Sequence, residues 1–143
     1  MVNKVLDAIT TALYNVFGDD FKYYVEDIPQ KLKTPCFTVE TIEYNVRSYS
    51  KTRYFMTIPL VIQFFPKNEV NSKKYNYNIG SKIADAVEYI NADGVLLRSE
   101  NINYELNNDV LQVFVTYSFW TRDGVSSDYS DYMEELKSVV KSI

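Results

Sequence analysis

Two serine–lysine pairs are the first residues in this sequence whose types and spacing suit catalysis. The spacing S-x-x-K occurs as Ser48 with Lys51 and as Ser138 with Lys141. A neighbouring lysine can act as the general base that turns a serine into a nucleophile. However, the first pair falls in a predicted loop, the second lies close to the last residue, and a pattern of two common residues arises easily by chance. We therefore predict no serine nucleophile.

Carboxylates could serve as an acid–base pair or as metal ligands. Glu40 and Glu43 fall in one predicted strand, where their odd spacing places them on opposite faces, so they do not form a catalytic pair. A second acidic group lies near the end of the sequence and comprises Asp128, Asp131, Glu134 and Glu135. It lacks the glycine turn and the alternating ligands of a calcium loop. The pattern indicates a solvated helix end and predicts no metal site.

Composition excludes most other catalytic chemistry. The sequence has no histidine, which excludes Ser-His-Asp triads, Cys-His dyads and histidine metal ligands. Its single cysteine, Cys36, excludes an internal disulfide, a CxxC redox pair and a cysteine-rich zinc site. Its four glycines form neither a GxGxxG nor a Walker motif. We expect a protein without catalytic residues, without cofactors and without enzymatic activity.

Length and hydropathy are typical of a single globular domain. The 143 residues suit one domain over 1–143, and 46% of them are hydrophobic. No apolar run approaches the ~20 residues of a membrane span. The first residues include Asp7 and lack the apolar core of a secretory signal. These patterns predict a protein that is made and used in a cytoplasm, with no membrane partner.

Cations interleaved with aromatic side chains form the remaining candidate site. The segment from Arg47 to Tyr54 mixes the two kinds of residue and also contains Lys51 and Arg53. Such a segment suits contact with a nucleic-acid backbone or with an acidic protein. The net charge of −4 favours the protein partner, because proteins that coat nucleic acids need a basic surface. The 13 tyrosines are spread along the whole chain, which indicates an aromatic core or interface.

Charge is divided unevenly along the chain. Residues 1–82 contain 11 basic and 8 acidic side chains, whereas residues 83–143 contain 4 basic and 11 acidic ones. The simpler interpretation is two solvated surfaces. The alternative is a head-to-tail contact between identical subunits, in which the basic patch of one meets the acidic patch of the next, as in rings.

Hydrophobic periodicity predicts the elements that carry these residues. Apolar residues at helical spacing predict helices over residues 3–17, 72–91 and from 128 onwards. Alternating or β-rich runs predict a loop over 45–52 and strands over 23–28, 36–44, 53–65, 95–107 and 110–121. The order is α-β-β-β-α-β-β-α. Short links between successive strands predict a mostly antiparallel sheet with helices packed on it, which is an α+β fold.

The last two predicted strands form the clearest pattern, a hairpin with Asn108 and Asp109 in its turn. That register pairs apolar side chains on one face: Ile102 with Val115, Tyr104 with Val113, and Leu106 with Leu111. Phe114 and Trp120 interrupt the polar face. Burial under a helix is the favoured interpretation of both, and contact with a partner is the alternative. In the 53–65 strand, Pro59 cannot donate to a ladder, which predicts an edge position or a bulge.

Packing and turn residues recur along most of the chain in patterns typical of one protein family. They comprise Ala12-Leu13-Tyr14 with Phe17-Gly18, the segment 33–37, Arg53-Tyr54-Phe55, the segment 63–66 and, most clearly, 97–105, 109–117 and 132–136. With these segments the sequence resembles the phage tail terminator proteins found in phages and prophages of Gram-positive bacteria. The turn Asn108-Asp109 departs from the Asp-Gly of that pattern, a change that such a turn tolerates.

The resemblance implies a structural protein of the virion tail, assembled in the cytoplasm of the bacterial host. Such proteins close the head-proximal end of the growing tail tube as a ring, typically a hexamer, which stops polymerisation and offers a docking surface to the head. The implied partners are further copies of the chain, the tail tube protein and the head–tail connector protein, while DNA only passes through the ring. We expect an interface with a neighbouring subunit or the tube at Arg47, Lys51, Arg53, Phe114 and Trp120.

Two other functions fit the same residues. One is a head-completion protein or another assembly protein of the same particle. The other, from a different class, is a small cytoplasmic module that binds a ligand or a nucleic acid through a tyrosine-rich surface. Salt-sensitive binding to DNA would favour that module, since a ring component of net charge −4 should bind DNA only where the DNA passes through its pore.

Overall fold

The computed structural model describes residues 2–43, 45–67, 72–108 and 110–122. In these residues the elements are, in chain order, α1 (Val2–Phe17), β1 (Lys22–Val25), β2 (Cys36–Thr41), β3 (Asn45–Ser48), β4 (Arg53–Phe65), α2 (Lys73–Val87), β5 (Tyr89–Ala92), β6 (Val95–Asn107) and β7 (Val110–Arg122). A single 3-10 turn over Gly18–Asp20 follows α1. The helix predicted from residue 128, the acidic group within it and the pair of Ser138 and Lys141 lie outside the described residues.

The described strands form a sheet in the order β1-β2-β4-β7-β6-β5, with β3 also paired to β4. Every pairing is antiparallel except that of β1 with β2. Buried side chains of α1 and α2 join one face of this sheet in a hydrophobic core. The predicted α+β class with a mostly antiparallel sheet is therefore confirmed. The observed order adds two short strands, β3 and β5, and both β1 and β2 end earlier than predicted.

Strict alternation places β4 at the centre of the core. Its even-numbered side chains are all buried: Tyr54, Met56, Ile58, Leu60, Ile62 and Phe64. Its odd-numbered side chains are half-buried or exposed and point to the sheet face opposite the two helices. The strand has the predicted bounds because this period of two is unbroken over its whole length.

Pro59 is accommodated in an interior strand. β4 pairs with β7 past this residue without a register shift, so the prediction of an edge position or a bulge is wrong. The carbonyl of Pro59 accepts a hydrogen bond from the backbone N–H of Ile42 at 3.0 Å. Since the N–H and C=O of one strand residue point to the same side, the absent donor of Pro59 faces β2 and β3, not β7. On that side β2 pairs with β4 from Leu60 to Phe65, and β3 pairs with it from Tyr54 to Thr57. Pro59 lies between these two paired stretches, so its missing N–H removes no hydrogen bond between strands.

Two short strands differ from the prediction. β3 falls in the predicted loop, because Val46 alone among its four residues packs against the core and leaves no visible period. β5 falls in the predicted helix 72–91, because Ile83, Val87 and Ile90 keep a helical spacing across the end of α2. In the structure Ile90 and Ala92 alternate with exposed residues and pair with β6.

Hydrogen bonds from outside the helix fix both ends of α2. The hydroxyl of Ser72 accepts a hydrogen bond from a backbone N–H of the first turn at 3.1 Å, which makes it an N-cap. At the other end the Tyr117 hydroxyl donates to the carbonyl of Val87, and the Ser99 N–H donates to the carbonyl of Glu88 at 2.9 Å. Carbonyls in the last turn of a helix otherwise lack partners. The helix therefore ends at Val87 without a glycine or a proline.

The β6–β7 hairpin has the predicted register. The observed pairs include Ile102 with Val115, Tyr104 with Val113, and Leu106 with Leu111. Asn108 has a left-handed backbone conformation (φ 50°) in the turn, as its side chain allows. A register shift at Glu100 divides the strand. Residues 95–98 pair with β5, and the rest of β6 pairs with β7.

Candidate interface at one end of the sheet

Three neighbouring strands place predicted interface residues in one row. Arg47 of β3 lies opposite Phe55 of β4, and Phe55 lies opposite Trp120 of β7. Because opposed residues in a sheet point to the same face, the three side chains share the face opposite the helices. Arg53 lies two residues before Phe55 and points to the same face. The row lies at the end of the sheet where the β3–β4 hairpin turns.

The indole ring of Trp120 is the centre of this group. The guanidinium carbon of Arg53 lies 4.5 Å from its centroid. The ring centroids of Tyr49 and Phe55 lie 4.8 Å and 5.0 Å from it. The Arg47 guanidinium lies 5.8 Å from the Tyr49 ring centroid, and its Nη1 donates a hydrogen bond to the Tyr49 hydroxyl at 3.3 Å. We call Arg47, Tyr49, Arg53, Phe55 and Trp120 the arginine–aromatic cluster.

The cluster presents apolar rings and positive charge to solvent. Trp120 is 49% exposed and Tyr49 is 55% exposed, although both are large side chains. Arg47, Arg53 and the nearby Lys51 are exposed, and no carboxylate among the described residues lies within salt-bridge distance of them. Cation–π contacts at exposed sites contribute about 0.5–1 kcal/mol each, so they orient the arginines without neutralising them. Tryptophan, tyrosine and arginine dominate binding energies at protein interfaces, and the arrangement suits an acidic protein surface.

Lys51 lies at the tip of the β3–β4 hairpin, which hydrogen bonds hold in shape. The N–H of Tyr49 donates to the carbonyl of Arg53 at 3.0 Å. The hydroxyl of Tyr54 donates to the carbonyl of Lys51 at 3.4 Å. The structure thus brings Arg47, Lys51 and Arg53 to the same end of the sheet as the indole ring.

Phe114 is the predicted interface residue that stands apart. It lies opposite Val61 of β4 and Asn103 of β6, at the middle of the sheet. It lies six positions before Trp120, which is roughly 20 Å along a strand. It is half-buried and outside the core beneath α1 and α2. For Trp120 the favoured interpretation, burial under a helix, is wrong, because β7 directs its exposed ring to the opposite face.

Tyr49 and Phe55 belong to the cluster but are not among the individually predicted interface residues, although Tyr49 lies in the candidate segment from Arg47 to Tyr54. Tyr49 falls in the segment interpreted as a loop, so its position beside β7 depends on a strand pairing that the sequence does not reveal. Phe55 offered a usable signal. It is an aromatic residue between the buried Tyr54 and Met56, which puts it on the exposed face of the predicted strand.

No catalytic arrangement accompanies the cluster within the part of the chain that the structure describes. The Ser48 hydroxyl donates to the carbonyl of Ser50 at 3.2 Å and makes no bond to Lys51. Burial raises the pKa of Cys36 to about 11, so its thiol is protonated near neutral pH. The described cysteine, aspartate and glutamate side chains form no group of three that could hold a metal ion. None of the described helices is long and apolar enough to span a membrane.

Comparison with known proteins gives the family. Residues 4–128 match a family model described as phage tail terminator protein. No curated protein matches the sequence. One solved protein structure aligns with 85% of this chain and 97% of its own at 9% sequence identity and a TM-score of 0.41, a likeness too weak to carry an argument. Because the family match spans most of the sequence, the chain belongs to the phage tail terminator family, with a structural role in phage tail assembly.

Proposed function

We propose that this protein closes the head-proximal end of a tail tube as a ring of identical subunits, a hexamer. The ring stops polymerisation of the tube and presents its outer surface to the head or its connector. The family match supports a role in tail assembly, and the ring is the finer step that we add to it. The protein acts as a component of the virion tail, assembles in the host cytoplasm, and contacts DNA only where DNA passes through the ring.

The observation that carries this proposal is the arginine–aromatic cluster. An exposed Trp120 with Arg53 beside its ring, and Arg47 beside the neighbouring Tyr49 ring, is a surface suited to a partner of opposite charge. If the complementary surface lies elsewhere on an identical subunit, the contact is heterologous, and such contacts close into rings when the rotation between subunits allows it. A closed ring has no free lateral surface for another copy of this chain to join, so the ring has a fixed size, and its face on the tube occupies the end where tube subunits would add.

The partners divide between the two faces of such a ring. One face contacts the tail tube protein and the other contacts the head–tail connector protein. The cluster belongs to the contact between neighbouring subunits, because it lies at one end of the sheet and extends to β3, the outermost strand beside β4 there. Phe114, at the middle of the same sheet face, is available to the tube and not to the neighbouring subunit.

The test is a charge-reversed variant, R47E/K51E/R53E. All three side chains are exposed, so we expect the variant to fold like the wild-type chain, as judged by circular dichroism and thermal unfolding. We expect it to form few or no rings by light scattering and negative-stain imaging, and particles carrying it to have tails of uncontrolled length. A ring of normal mass together with normal tail length would contradict the proposal.

A matched control separates the effect of position from that of net charge. K67E/K73E/K74E makes the same change in charge at the opposite end of β4, again at exposed side chains. This control should assemble and set tail length normally. If the wild-type chain instead binds duplex DNA in a salt-sensitive way, and only that binding is lost in R47E/K51E/R53E, the nucleic-acid-binding alternative replaces the ring.

A further inference from the structure

We propose that the arginine–aromatic cluster of one subunit docks into an acidic groove between α2 and β6 of the next subunit. This inference rests on the proposed ring and names the two surfaces that would form its repeated contact. The occupant of the groove is thus the β3–β4 hairpin of a second copy of this chain.

The groove lies where the end of α2 meets the start of β6. Its volume is about 330 Å³. A water molecule takes about 30 Å³, so the groove has room for side chains. Three carboxylates line it, those of Asp85, Glu88 and Glu100, together with one cation, Arg98. The Glu88 and Arg98 side chains approach to 3.8 Å, and both are well exposed, so this pair is weak. The remaining two carboxylates have no salt-bridge partner among the described residues.

An unpaired strand edge lies in the same groove. β5 covers β6 only from Val95 to Arg98, and no other described strand flanks that side of β6. The register shift at Glu100 lies just after Arg98, where the pairing of β6 with β5 ends. From there the edge, including Asn101 and Ile102 in the groove, offers backbone N–H and C=O groups to a partner. The groove therefore combines negative charge with free backbone groups, which suits a basic hairpin.

The β3–β4 hairpin of the cluster and the groove lie on opposite flanks of the sheet and at the same end of it. Ser99, in the groove, pairs with Tyr117, which is close in sequence to Trp120 on β7. β4 and β7 stand between β3 on one flank and β6 on the other. A contact between the two flanks is therefore heterologous and can repeat around a ring. Glu40 and Glu43 are also acidic, but they lie on the flank of the cluster itself and cannot complete a head-to-tail contact.

The charges of the two surfaces are complementary. The hairpin contributes Arg47, Lys51 and Arg53, and the groove contributes three carboxylates against one arginine. Complementary charges of this kind steer association and fix which surfaces meet. The exposed indole ring of Trp120 adds an apolar contact to these ionic contacts.

The test uses two variants of opposite sign in the full chain. R47E/K51E/R53E makes the cluster acidic, and D85K/E100K makes the groove basic while leaving Glu88 and Arg98 in place. Each variant alone should dissociate at least about 30-fold more readily than the wild-type ring. In an equimolar mixture both kinds of contact are again complementary, so rings should form in which the two variants alternate. Light scattering gives the mass and native mass spectrometry gives the one-to-one composition.

A control variant and three results bear on the pairing. D20K/D27K reverses two exposed carboxylates outside the groove and should assemble normally. The pairing is overturned if D85K/E100K assembles as the wild type does, if the mixture stays monomeric, or if the wild-type chain stays monomeric at millimolar concentration. If D85K/E100K still forms rings and sets tail length while R47E/K51E/R53E does not, the pairing fails and the proposed function stands. If the wild type neither forms rings nor binds tube ends, the proposed function fails with it.

Discussion

Cys36 lies on β2 between Lys22 of β1 and Phe65 of β4, and its side chain is fully buried. Burial disfavours the thiolate and raises the pKa of the thiol from 9.0 to about 11. In the unfolded chain the thiol titrates near its ordinary pKa. Between pH 9 and pH 11 the thiol loses its proton in the unfolded state and keeps it in the folded state. Stability contributed by the buried thiol is therefore fully present below pH 9 and is lost as pH rises to 11.

This linkage predicts a pH dependence that a single substitution reduces. The urea midpoint of the wild-type chain should fall more between pH 8.5 and 10.5 than that of Cys36→Ala, because alanine has no thiol to titrate. All other side chains are the same in the two proteins, so the difference between the two falls isolates the thiol. Equal falls would contradict a buried, protonated Cys36. A thiol reagent at pH 8 should accordingly label the wild type slowly in buffer and rapidly in urea.

At the scale of elements, predictability follows the strength of the local pattern. β4 alternates strictly, and β6 and β7 alternate on both sides of their turn, so the strand bounds and the hairpin register are visible in the sequence. β3 and β5 have four residues each, and partners distant in sequence decide their state. The candidate site divides in the same way. Its arginines and Trp120 stand out as residue types, whereas Tyr49 joins them only through the β3–β4 pairing.

The end of α2 depends on a residue distant in sequence, Tyr117, and this contact gives a prediction. Tyr117→Phe removes the hydroxyl that bonds to the carbonyl of Val87 and leaves that carbonyl buried without its donor. We expect a loss of about 1–3 kcal/mol in the free energy of unfolding, measured by urea denaturation. Tyr104→Phe, at a tyrosine that is 41% exposed, should change it by less than about 0.5 kcal/mol. Similar losses in the two variants would show that the hydroxyl does not fix the helix end.

At the scale of the whole molecule, the two faces of the sheet have different roles. One face and its two helices supply the hydrophobic core. The other face and the flanks carry the arginine–aromatic cluster and the acidic groove. Charge reversal at these surfaces should therefore alter assembly without altering the fold.

Trp120 is the only tryptophan of the chain, and it reports on assembly directly. Its emission should shift to shorter wavelength as protein concentration rises and rings form, because the exposed indole ring moves from water into a contact. Salt at about 1 M reduces the Debye length to about 3 Å and should reverse the shift. R47E/K51E/R53E should show no dependence on concentration. An unchanged spectrum across a measured monomer-to-ring transition would place the cluster outside the subunit contact.

The central position of β7 bears on how the chain is made. β7 is the last described strand in sequence, yet it lies between β4 and β6 and pairs with β4 along Arg53–Phe64. While β7 is still inside the ribosome, β4 and β6 each lack the strand that pairs between them, so the sheet is incomplete. The row from Arg47 to Trp120 does not exist in such a chain either. The proposed subunit contact therefore requires that β7 has been synthesised and paired, and we expect chains that lack β7 not to associate through it.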